Sequence, residues 1–195
     1  PVPLGEAFEI GGSHTHAFAL IEQALEKAGL TRDQVDCIAV GLGPGSYTGI
    51  RIAISIAQGW QLAREVRLLG VSSVECLAQQ AHANGIAGRL HILIDAQRNE
   101  FYLATYELAN EGPRELEPLR LATLEETHAR CQAGGTRVGF DVQRHFPEAK
   151  AIFPHAVTLA RLAAARTDFI PGERLEPVYL RAPSFVKAPP PRVIS

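Results

Sequence analysis

Phosphate binding is the first chemistry that the residues between 41 and 51 could perform. Glycines at 41, 43, 45 and 49, with Pro44 among them, follow a short apolar run and precede apolar residues at helical spacing from Ile50. Glycine lets the main chain approach a ligand closely, and the free N–H groups of a helix start carry partial positive charge. Three specific versions fail when spelled out. A P-loop needs a lysine after its last glycine, and none follows Gly49. A dinucleotide fingerprint needs GxGxxG and an acid at the end of the next strand, whereas the spacing here is GxGxxxG and that strand ends Leu69-Gly70-Val71-Ser72. A nucleophile elbow needs glycine where Pro44 stands, so Ser46 is not read as a hydrolase serine. What remains is either a general anion-binding turn or a purely structural one.

Metal chemistry is suggested by His14 and His16, but an i, i+2 pair before a helix has no third ligand nearby, and His82 and His91 are distant. Solvated or capping histidines fit better. Cys37, Cys76 and Cys131 lie far apart without a CxxC pair, which argues against a disulfide framework or a zinc site and suits a reducing compartment. Neither Ser46 nor any cysteine has a recognisable local base, so a peptidase reading finds no machinery. No catalytic, cofactor-binding or metal-binding residue is assigned.

The elements that position these residues follow from periodicity. A strand is expected at 7–10, and Phe18, Ile21, Leu25 and Ala28 form an amphipathic stripe on a helix over 17–28 closed by Gly29. A strand over 35–40 leads into the glycine turn and a helix over 50–64, followed by a strand at 67–71 and a helix from Ser72 or Ser73 to His82. Strands at 90–95, 101–108 and 116–121 make an antiparallel meander through polar links at 96–100 and 110–113. A helix at 124–131, strands at 137–140 and 151–153 and a helix at 155–166 follow. The helix over 50–64 is apolar over roughly 200° of its circumference, where a surface helix needs about 100°. Arg51, Ser55, Gln58, Gln61 and Glu65 form its narrow polar arc, while Ile50, Ile52, Ala53, Ile54, Ile56, Ala57, Trp60 and Ala63 fill the rest. Either its own fold covers it on two sides, or a second protein covers one of them.

The order from 90 to 166 is β-β-β-α-β-α-like, and the order up to 83 reads as a second copy of that plan clipped at its start. This is an α/β duplicated plan. It divides the chain into a first lobe over 1–86, a second over 87–170, and a proline-rich, extended and mobile tail over 171–195 containing Pro177, Pro183 and Pro189-Pro190-Pro191.

The segment GLGPGSYTGIRIAISIAQG closely resembles the GPGS-[FY]-TG-[IV]-R block of the bacterial TsaB (YeaZ) proteins, here Gly43, Pro44, Gly45, Ser46, Thr48, Gly49 and Arg51. LGVSSVECLAQQA at 69–81, IDAQRNEFYLATY at 94–106 and PVYLR at 177–181 add to the likeness, and His14-Thr15 matches a His-Ser or His-Thr pair of the family. The resemblance implies the actin-like ATPase superfold (ASKHA, ribonuclease H-like) and a non-catalytic subunit that partners the TsaD-type catalytic subunit in making threonylcarbamoyl-adenosine next to the tRNA anticodon. A TsaE-type ATPase belongs to that complex, and tRNA is met only through partners. The apolar faces of the two helices make the expected interface, through Phe18, Ile21, Leu25, Ile50, Ala53, Ile54, Ala57, Trp60 and Gln61, and the same faces could pair two copies of this chain. In that superfold two hairpin turns hold phosphates. The second is Asp95 to Glu100, where Asp95 could orient magnesium and Arg98 meet a phosphate, but it holds no glycine. Any ATP is therefore expected only at a partner junction. The competing reading is an actin-like ATPase or small-molecule kinase, with a peptidase behind it.

A net charge of −2 without a basic run gives no footprint for gripping a nucleic-acid backbone unaided. No apolar run approaches the roughly 18 to 20 residues of a membrane span, and the start lacks a signal-peptide pattern, so a cytoplasmic protein is expected.

Overall fold

The computed structural model describes residues 2–9 and 16–180, and the statements below concern those residues. In chain order the elements are α1 (Ala17–Ala28), β1 (Cys37–Gly41), α2 (Tyr47–Arg64), β2 (Arg67–Val71), α3 (Ser73–Ala83), β3 (Gly88–Asp95), β4 (Glu100–Ala109), β5 (Gly112–Thr123), α4 (Leu124–Gln132), β6 (Thr136–Phe140), β7 (Lys150–Ala151) and α5 (Ala156–Ala164). Residues 7–9 form no strand, and Ile10 lies outside the described residues, as do His14 and the tail beyond Leu180.

The second sheet runs in the order β5-β4-β3-β6-β7. Its first three strands are the antiparallel meander, and β3 pairs parallel with β6 on its other edge. The hairpin between β4 and β5 closes on a two-residue turn, Asn110-Glu111, with Ala109 opposite Gly112. β5 is thereby longer than its apolar residues alone suggest, because it pairs along nearly the whole of β4 while presenting an edge strand's exposed charges. Central β3 is covered on both faces and reads accordingly as a nearly unbroken apolar run. Leu90, Ile92 and Ile94 pack with Val74, Leu77, Ala78 and Ala81 of α3. Leu93 joins Phe101, Leu103, Cys131 and Phe146 on the other side.

The first sheet holds β1 and β2, parallel, with Cys37 opposite Arg67 and Gly41 opposite Val71. Side-chain alternation sorts its two faces. Val40 and Leu68 meet Ile54 and Ala57 of α2, while Leu69, Val71 and the half-buried Cys37 and Ala39 meet Leu159, Leu162 and Ala163 of α5. The Asp36 carbonyl accepts from Arg67 N–H and the Leu42 N–H donates to the Val71 carbonyl, so the even-numbered residues along β1 turn their main chain toward β2. The main-chain groups of Cys37, Ala39 and Gly41 then point to the opposite edge, which no described strand pairs.

Packing crosses the expected boundary at 86/87. Helix α3 belongs to the second sheet's core and α5, from the far end of the chain, to the first. After α5 the chain returns as a strap. Ile170 N–H donates to the Leu68 carbonyl, Leu175 is buried in the α2 core, and Val178 N–H donates to the Leu42 carbonyl at 2.9 Å. Residues 171–180, expected in a loose tail, are therefore part of the first lobe's fabric.

Candidate functional site

The glycine turn is built for packing. Gly43 has a left-handed φ of 88°, is buried, and sits against Ile50. Its carbonyl accepts from the Ser73 N–H at 2.8 Å, which ties the turn to the start of α3. Ser46 caps α2 by accepting from the Gly49 N–H at 3.3 Å. That cap starts the helix at Tyr47, three residues before the apolar spacing begins.

The turn after β3 reaches positive φ without glycine. Gln97, Arg98 and Asn99 all lie near +60°, a left-handed run that side chains usually disfavour. Asp95 stabilises it by accepting from the Gln97 N–H at 2.7 Å, and its other oxygen is 3.7 Å from Arg144. The carboxylate thus serves its own turn. Among the described residues no three His, Cys, Asp or Glu side chains gather as a metal site. His16 precedes α1 without capping it and lies 3.5 Å from Glu9. His91 is fully buried, with Nε2 2.9 Å from the Gly134 carbonyl and Nδ1 3.1 Å from the Thr105 hydroxyl. Burial lowers its pKa, opposed by the Gly134 hydrogen bond. Cys76 is buried in α3 and its thiol is pushed up to about 11 by burial, the reverse of an activated nucleophile.

What the structure does offer is an apolar groove of about 710 Å³ between α1 and α2. Phe18 and Ile21 form one wall, and Ile52, Ile56, Trp60 and Ala63 the other. No residue of α1 is buried, although the helix carries a marked apolar stripe, and Phe18 is 66% exposed. A 12-residue helix is marginal in water without a covered face.

The interface residues expected from sequence do not share one face. Phe18, Ile21 and Trp60 line the groove. Leu25 is half-buried on α1 away from it. Ile54 and Ala57 point the other way, into the core shared with β1 and β2, and Ala57 is 0% exposed. Ile50 and Ala53 pack against that same core. Gln61 is committed within the chain, since its Oε1 accepts from the Gly172 N–H at 2.7 Å and its Nε2 donates to the Val66 carbonyl. Gln58 likewise donates to the Gly172 carbonyl, so part of the polar arc of α2 faces the strap. Ala57→Glu would consequently put a charge into the first lobe's core. Ile52, Ile56 and Ala63 are the face that sequence spacing left undivided from Ile54 and Ala57; Tyr47 and Gly59 were missed altogether.

At the groove's end Arg51 lies over the Tyr47 ring, 4.6 Å from its centre, and its Nε donates to the Tyr179 hydroxyl at 3.1 Å. Two residues from stretches of family likeness, Arg51 and Tyr179, thus meet in space although 128 positions separate them.

Comparison with known proteins agrees with this architecture. The family model described as TsaD, tRNA N6-adenosine threonylcarbamoyltransferase, matches residues 12–126. The tRNA threonylcarbamoyladenosine biosynthesis protein TsaB of Escherichia coli is 38% identical over 93 residues, covering 48% of this chain and 40% of that protein. The chain therefore spans about two-fifths of the length of that curated relative. An uncharacterised protein of Mycobacterium tuberculosis is 30% identical over 193 residues, covering 93% of this chain and 82% of its own length. The solved structure of YeaZ from Pseudomonas aeruginosa superposes with a TM-score of 0.73 at 30% identity, over 85% of this chain and 84% of that one. The duplicated α/β plan is thus the actin-like fold, and this chain belongs to the TsaB (YeaZ) family.

Proposed function

We propose that this protein is a non-catalytic partner subunit in tRNA threonylcarbamoyladenosine biosynthesis, docking through the α1/α2 groove onto a TsaD-type catalytic subunit. The observation that carries the reading is a helix, α1, with an apolar stripe and no buried residue, set beside a second helix whose outer face is also apolar. Exposed apolar surfaces of this kind serve as interaction sites. Two helices from each partner would bury these faces in a four-helix arrangement, for which ridge-and-groove packing supplies the geometry. In the partner's absence the same faces pair two copies of this chain. A TsaE-type ATPase joins the complex, tRNA is reached only through partners, any ATP sits at the subunit junction, and the complex works in the cytoplasm.

The reading is tested by co-purification with the TsaD-type subunit of the same organism, using Ile56→Glu. Ile56 lines the groove and is not among the residues of the α2 core. The variant is expected to keep the parent circular dichroism and to lose the complex. A complex that withstands a charge at position 56 would remove this surface from consideration.

A further inference from the structure

We infer that Arg51 is a preset carboxylate receptor at the polar end of the groove, so that the docking helix brings an Asp or Glu to meet it. This rests on the docking reading above and names the chemistry of the occupant. Three arginines line the groove, and two are already neutralised within the chain: Arg32 by Glu22, and Arg64 by Asp33. Arg51 has no carboxylate within 4.0 Å among the described residues. Its guanidinium is nevertheless held in place. The Tyr47 ring lies beneath it, the two tyrosine rings are 6.2 Å apart, and Nε is spent on Tyr179.

That arrangement leaves the two terminal nitrogens without a carboxylate partner among the described residues, and a guanidinium presents donors in a planar fork that matches a carboxylate. An arginine fixed by aromatic rings loses little side-chain freedom on binding, and Tyr and Arg are the residue types that dominate binding energy at interfaces. Arg51 and Ser55, one turn apart on α2, also form the wall between the main groove and a smaller hollow of about 420 Å³ bounded by Pro177, Glu176 and Tyr179. The acid that completes the site therefore enters from the groove side, carried by a helix whose apolar residues lie over Ile52, Ile56 and Trp60.

The test is calorimetric titration of the TsaD-type subunit with the parent chain, Arg51→Leu, Arg51→Lys and Tyr179→Phe, at low salt and at about 0.5 M salt, where charge pairs are screened over a few Å. Arg51→Leu is expected to weaken binding by about thirtyfold at low salt, Arg51→Lys by about tenfold because it keeps charge and loses the fork, and Tyr179→Phe by about threefold. The Arg51→Leu loss should shrink at high salt. Binding by Arg51→Leu within twofold of the parent, or a loss that salt leaves unchanged, overturns the carboxylate receptor while the docking reading stands. A parent chain that does not bind the TsaD-type subunit overturns both.

Discussion

Strands β6 and β1 occupy the same place in two copies of one plan, and they differ in what lies along one edge. β6 runs parallel to β3 on one side and β7 on the other. β1 has β2 on one side and, among the described residues, no strand on the other. The second sheet is therefore held by its own ladder, with β3 buried almost throughout. The first keeps its strand by covering its faces with α2 and α5 and by the strap over α2. An unpaired edge exposes main-chain donors and acceptors and is a template for further strand addition. Among the described residues, then, β1 is placed by β2 and by the layers above and below it.

The sharpest way to break this contrast uses a glycine in each strand. A methyl group at Gly139 would overlap the Leu93 carbonyl oxygen across the occupied edge, whereas one at Gly41 would meet only the Leu159 side chain at 3.5 Å. Gly139→Ala should cost more than about 4 kcal/mol and prevent folding, while Gly41→Ala should stay within about 1 kcal/mol of the parent. Urea unfolding followed by circular dichroism measures both. Equal effects would mean that the two edges are alike.

A smaller effect sharpens the role of the strap. Leu175→Ala removes a fully covered side chain from the α2 core and should cost about 2–5 kcal/mol. Trp60, the only tryptophan, packs against that core and reports it by fluorescence. Because α3 and α5 each stand in the other half's core, tryptophan and dichroism transitions should coincide in the parent. A first lobe that melts separately before any substitution would show that the exchange of helices does not couple the halves.

The smallest effect is confined to the second sheet. Burial holds His91 neutral in the folded chain by lowering its pKa from 6.5. The unfolded chain then binds more protons below about pH 6.5, so this residue's contribution to stability is present above that pH and is lost as pH falls. Thermal midpoints compared between about pH 7 and pH 5.5 should fall more steeply for the parent than for His91→Gln. Parallel slopes would mean that His91 carries no part of the acid sensitivity.

Much of the fold was legible from periodicity. The meander and the helices from Ser73 and Leu124 follow from apolar runs punctuated by capping residues. The distribution of α2 residues was not. Ala57 and Ala63 are the same residue type on one helix, yet one is sealed in the core and the other lines the groove. Their assignment depends on where the strap crosses, and Gln58 and Gln61 meet that strap at Gly172, more than a hundred residues away. The turn at 97–99 was legible as lacking glycine but not as left-handed, since the capping by Asp95 and the hydrogen bond from Leu124 N–H to the Asn99 carbonyl are properties of the assembled hairpin. Local patterns announce elements, while the choice of outward face is made by partners distant in the chain.

The strap also sets an order of events during synthesis. Gln58 emerges from the ribosome 114 residues before the Gly172 carbonyl it will bind, and α5 comes equally late to the back of β1 and β2. The second sheet closes between residues 88 and 151, so it can finish while the earlier half still waits. The portion of the polypeptide made first is the portion completed last, and during that interval its uncovered strands and helices are the stretch most in need of a chaperone's shelter.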